Sequence, residues 1–180
     1  MGEIVPLYTS LWHQAGKLIV EAIRRELRLQ GHSGTGLLID SIEYVIHHEF
    51  DDILQVYADY YGKYVNFGVK PDRVPYSPRQ KGEAPRGGVS KYIEALEKYV
   101  LENGFVASLK DAKSMAFAIA AKHKKEGMPT RDSYKHSVTG KRTEFIEDAI
   151  DGISEQLNDL IYEIIGREMQ VIFQDILNVA

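Results

Sequence analysis

The last stretch of the chain most constrains the fold. From about Thr143 to Asn178, apolar residues recur at three- and four-residue steps: Phe145, Ile146, Ala149, Ile150, Ile153, Leu157, Leu160, Ile161, Ile164, Ile165, Ile172, Phe173, Ile176 and Leu177. That period predicts one long helix. At about 1.5 Å of rise per residue it spans roughly 50 Å, more than a small α+β body covers. The excess stripe predicts burial against another helix or another subunit. The first helix is one intramolecular partner but is shorter. Ile164, Ile165, Ile172, Phe173 and Ile176 are therefore the candidate oligomer interface.

The whole chain of 180 residues reads as one α+β domain, a small antiparallel sheet packed against helices with this long helix at its end. A helix is predicted from about Tyr8 to Gln30, with Leu11, Trp12, Ala15, Leu18, Ile19, Ala22, Ile23 and Leu27 on its inner stripe and Gly31 as its stop. The cluster Gly31-His-Ser-Gly-Thr-Gly36 lacks a P-loop ending and reads as a hinge that tucks Leu37, Leu38 and Ile39 under the sheet. Ser41–Phe50 and Ile53–Tyr57 alternate as two strands around an Asp51-Asp52 turn, predicting a hairpin. Tyr57, Tyr60, Tyr61, Tyr64 and Phe67 fall at helical spacing and predict a short helix packed on the sheet. Val69–Gly88 is rich in Pro and Gly and reads as an extended loop of about 69–88, an arm that orders on a neighbour. Ser90–Asn103 and Ser108–Glu126 read as capped helices, the second stopped by Gly127 and Pro129.

Charge adds a second constraint. The net charge of −4 argues against a general nucleic-acid binder. Yet Lys122, Lys124, Lys125, Arg131, Lys135, Lys141 and Arg142 face only Glu126 and Asp132 in the same stretch. From Glu144 onward, nine acids oppose Arg167 alone. The two segments read either as solvated faces or as surfaces that attract each other within a subunit or between neighbours. The basic set is the candidate interface, or the candidate lining of a DNA channel.

Catalytic and metal chemistry find little footing. There are no cysteines, so thiolate zinc sites and cysteine nucleophiles are excluded. His47 and His48 are strand neighbours that point to opposite faces and cannot share one metal. No Gly-x-Ser-x-Gly, His-Glu-x-x-His or Walker spacing occurs. The expectation is a non-enzyme with no cofactor and no metal. The start lacks the basic-then-apolar pattern of a signal peptide, and no apolar run reaches the roughly 20 residues of a membrane span, so a soluble chain is expected.

Four stretches follow one another in order: Gly34-Thr-Gly-Leu-Leu-Ile-Asp-Ser-Ile42, Tyr57-Ala-Asp-Tyr-Tyr-Gly-Lys-Tyr-Val-Asn-Phe-Gly68, Ala116-Phe-Ala-Ile-Ala-Ala-Lys-His-Lys-Lys-Glu-Gly-Met-Pro-Thr130, and Thr139-Gly-Lys-Arg142 leading into the terminal helix. Together they resemble the tail-completion or head–tail joining proteins of the tailed-bacteriophage neck, a small α+β family. The resemblance implies a structural virion protein, made in the bacterial cytoplasm. It would oligomerise into a ring or collar between the capsid portal complex and the tail. Its partners would be itself and other neck, portal-adaptor and tail proteins, with non-specific contact to packaged DNA a further expectation. The resemblance implies no catalysis, cofactor or membrane partner. The competing expectation is a cytoplasmic nucleic-acid-binding module that uses residues 122–142.

Overall fold

A computed structural model describes residues 4–34, 36–48, 52–77 and 90–179. The fold is α+β, built among the described residues from helices and one two-stranded antiparallel hairpin, with a long C-terminal helix. Two compact units make up the chain, Met1–Asn66 with His136–Ala180, and Phe67–Lys135.

The first unit is organised by α1 (Ile4–Leu29). Its buried stripe is Leu11, Ala15, Val20, Ala22, Ile23 and Leu27, as the 3.6-residue period requires. The helix ends where Gly31 turns to φ +76°. His32 N–H then donates to Leu27 O (2.8 Å) and Gly31 N–H to Arg28 O (3.0 Å), closing the last turn. A one-turn helix α2 (Leu37–Asp40) follows. It buries Leu38 and Ile39, but Leu37 is 64% exposed, contrary to the expected tuck of all three. A single turn presents only one side to the core.

The hairpin is β1 (Glu43–His48) and β2 (Asp52–Tyr57), registered as Glu43 with Tyr57 through His48 with Asp52. The expected turn falls partly on residues 49–51, outside the described residues. Two features dock the hairpin on α1. The Tyr44 ring lies over Gly16, where a Cβ would sit 2.4 Å from Tyr44 Cδ2. Arg24 donates to Ile39 O (3.1 Å) and Ile42 O (2.7 Å), satisfying carbonyls where α2 passes into the strand.

The short helix α3 (Gly62–Phe67) matches its predicted place but not its predicted packing. Tyr57, Tyr60, Tyr61, Tyr64 and Phe67 are all exposed; Gly62 and Asn66 are buried instead. The inward side of so short a helix is taken by small and hydrogen-bonded residues, which leaves the rings outside.

The predicted terminal helix is two helices. The first, α6, covers Phe145–Asp151, and the second, α7, covers Ser154–Val179. Gly152 and Ile153 make the break, with Ile153 N–H turned back to Ile150 O (3.1 Å). The break lets Ile153 bury beside Phe145, Ala149, Leu27 and Ile42 in the main core. Full burial of side chains such as Leu27 and Phe145 contributes about 1.5–3 kcal/mol each.

In the second unit, α4 (Lys91–Glu102) packs against α5 (Leu109–Glu126). Ser90 and Ser108 cap them by accepting from Ile93 N–H (3.3 Å) and Asp111 N–H (3.1 Å). The buried side of α5 is Ala112, Ala116 and Ala120, a row of small side chains that admits Ile93 of α4 closely. Gly127 at φ +85° stops α5. Val69 and Met128 then exchange both backbone hydrogen bonds (2.7 and 2.8 Å). The expected loop therefore begins with a pinned residue and a 3-10 turn, Pro71–Arg73. Its later part, 78–88, lies outside the described residues. A second 3-10 stretch, Arg131–His136, follows α5.

Candidate assembly surfaces

The surface of α7 is set by helical arithmetic. At about 100° per residue, Leu157, Leu160, Ile164 and Val171 share one arc, and α7 uses this side against α1. Ile161, Ile165, Met169, Ile172 and Ile176 form a second arc roughly 100° further round. These five are between 41% and 59% exposed, and Phe173 beside them is also exposed. The stripe is apolar along its length and bordered by the exposed acids Glu155 and Asp159 on one side and Asp175 on the other. Of the expected interface residues, Ile165, Ile172, Phe173 and Ile176 lie outside. Ile164 does not: it is 4% exposed and belongs to the interior. Ile164 and Ile165 are sequence neighbours, but one residue step rotates a side chain by more than a quarter turn. Ile161 and Met169 complete the outer arc, and helical spacing alone could have found them.

The position of α7 depends on how α6 begins. Glu144, at φ +61°, is the N-cap residue and provides no side-chain cap. Asn66 supplies one from across the unit. Its Oδ1 accepts from Ile146 N–H (3.0 Å), its Nδ2 donates to both Glu147 carboxylate oxygens (3.2 and 2.9 Å), and its backbone oxygen accepts from Glu144 N–H (2.8 Å). Gln30, also fully buried, donates to Thr143 O (3.0 Å) and to Asp148 Oδ2 (3.3 Å) on the same approach. These remote partners had no local sequence signal.

The basic segment does not form one free face. Lys122 pairs with Asp132; that contact raises the lysine pKa and lowers the carboxyl pKa from their ordinary values. Lys124 Nζ reaches Asp72 O and Val74 O (3.4 Å each). Lys141 is bonded to Asp148 (2.6 Å), which pushes its pKa up. Arg142 lies against Gly31 O and His32 Nδ1 (3.4 Å each). Lys125, Arg131 and Lys135 remain exposed. The set is also divided, with Lys122–Lys135 in the second unit and Lys141 and Arg142 in the first. The attraction between basic and acidic segments is realised locally, in the Lys141–Asp148 pair.

His32 links the same region to solution pH. Protonated at Nε2, it donates to Arg142 O (3.1 Å) while Nδ1 accepts from Arg142 Nη2. Burial, reinforced by the Arg142 charge and opposed by the bond to Arg142 O, holds its pKa below the ordinary 6.5. His123 in the second unit is lowered by burial too, with Tyr92 Oη 2.6 Å from its Nδ1.

The exposed rings around α3 make a smaller surface. Tyr60 and Tyr64 meet edge-on at 6.0 Å, and Lys63 Nζ stands 3.6 Å from the Tyr60 centroid. A shallow cavity of about 260 Å³ lies between α1 and β1, lined by Lys17, Val20, Glu21, Arg24, Ile42, Glu43 and Tyr44. Among the described residues, no group of three His, Asp or Glu could hold a metal ion, and no helix is long and apolar enough to cross a membrane. Comparison with protein families, curated proteins and solved structures finds no match to this chain.

Proposed function

We propose that this chain is a structural subunit of a tailed-bacteriophage virion, a neck or tail-completion protein that self-associates into a ring or collar between the capsid portal complex and the tail. The observation that carries an assembly role is the outer stripe of α7. An uncovered apolar stripe this long, on a helix already packed through its other side, is the mark of an interaction surface. The virion setting is supported by the four ordered stretches that resemble the neck family. The reading assigns no catalysis and no cofactor.

The alternative, a nucleic-acid-binding module built on residues 122–142, loses support from the placement of its cations. Lys122, Lys124, Lys141 and Arg142 all have partners within the chain. A phosphate-binding surface requires such cations to be free for the backbone.

Cryo-electron microscopy of the parent virion tests the proposal. The expected result is a ring of copies, each showing the hairpin and α7, between portal and tail. Complete particles without density for this chain in the neck or tail would overturn it.

A further inference from the structure

The chain carries two exposed helical faces of opposite charge. On α7, the outer stripe runs from Ile161 to Ile176 between the acids Glu155, Asp159 and Asp175. On α5, the face next to the alanine row carries Lys113, Phe117, Ala121 and Lys125 at four-residue steps, with Lys110 among them; all are exposed, and the Phe117 ring meets Tyr76 at 6.4 Å between centroids. No acid falls within that arc; Asp111 and Glu126 lie beyond its edge. One face is apolar with an acidic border; the other is basic, with Phe117 and Ala121 between its lysines. Each runs for about 23 Å of helix.

We propose that α7 of one copy docks on the outer face of α5 of a second copy, head to tail. Charge selects this occupant. Pairing α7 with α7 would set one acidic border near another, whereas α5 brings lysines to meet them. The area is sufficient. With Tyr162 and Phe173, the α7 stripe leaves on the order of 800 Å² uncovered, about what one partner brings to a standard stable interface. Because the two faces differ, every copy keeps one of each free, so the contact closes into a ring or runs on as a filament. The inference deepens the assembly reading and rests on it only for the premise that copies associate.

Charge exchange tests the contact in the full chain, by light scattering with circular dichroism as the check on folding. One variant reverses α7 (Glu155→Lys, Asp159→Lys, Asp175→Lys); the other reverses α5 (Lys110→Glu, Lys113→Glu, Lys125→Glu). Each alone should associate at least ~10-fold more weakly than the wild type. Mixing the two, or combining all six changes in one chain, should restore association. Wild type that stays monomeric at ~100 µM overturns the contact. So does an α5 variant that associates as the wild type does, or a mixture with no recovery. A chain that passes this test but is missing from virions would fail the neck reading and leave the contact standing.

Discussion

Replacing Asn66 with alanine should destabilise the first unit by about 2–3 kcal/mol, although Asn66 belongs to no predicted site. The side chain is fully buried and serves the first turn of α6 from α3. Its removal strips Ile146 N–H of its acceptor at a helix start, an N-cap loss of about 1 kcal/mol. The two bonds to Glu147 go as well. A hydrogen bond to a charged group contributes about 1.5–3 kcal/mol, but Glu147 is exposed and solvent screening reduces that to about 1 kcal/mol. A small cavity adds the remainder. Trp12 is the single tryptophan and lies in α1, so urea unfolding followed by its fluorescence reports this unit. Glu147→Gln, which keeps an acceptor for Asn66 Nδ2, should cost under about 1 kcal/mol. If Asn66→Ala shifts the unfolding free energy by less than about 0.5 kcal/mol, Asn66 is not the cap of α6.

Three further outcomes follow from the packing and the titrating groups. Gly16→Ala places a Cβ into the Tyr44 ring and should cost about 1–3 kcal/mol in the same unfolding experiment, with loss of hydrogen-exchange protection across the hairpin. Gly127→Ala combines φ +85° with a Cβ 2.6 Å from Val69 O; it should cost about 2–4 kcal/mol and expose the second unit to limited proteolysis between Val69 and Met128. His32 has a folded pKa below its unfolded value of 6.5, so the unfolded chain takes up the proton first. The first unit should hold its stability above pH 6.5 and lose it as pH falls through that value, and His32→Gln should flatten that loss in melts across pH 5–8.

The parts of the fold with local causes were legible in the sequence. The α1 stripe, the hairpin alternation, the Ser90 and Ser108 caps and the Gly127 stop each express a preference of a few consecutive residues, and each took its expected place. What failed depended on distant partners. The break at Gly152 arises because Ile153 has a core position to fill, and nothing in the repeating apolar pattern marks it. The tyrosines of α3 have helical spacing, but spacing does not say which side meets the core; Asn66 occupies that side through residues about eighty positions away. The candidate assembly surface was half legible. Period identified α7 as over-supplied with apolar residues, but only its docking on α1 separated the inward Ile164 from the outward Ile165. The basic run looked like one feature in sequence because its internal partners, Asp72 O, Gly31 O and Asp148, are remote or lie in the following segment.

The proposed association of copies runs through the outer stripe of α7. The most direct test is the molar mass of the full chain in solution as its concentration rises, measured beside Ile172→Asp, which puts a charge at the middle of that stripe. The wild type should climb from 20.4 kDa to a multiple of it while Ile172→Asp, equally helical, stays at 20.4 kDa. A wild type fixed at 20.4 kDa throughout, or an Ile172→Asp chain that climbs with it, would contradict the account.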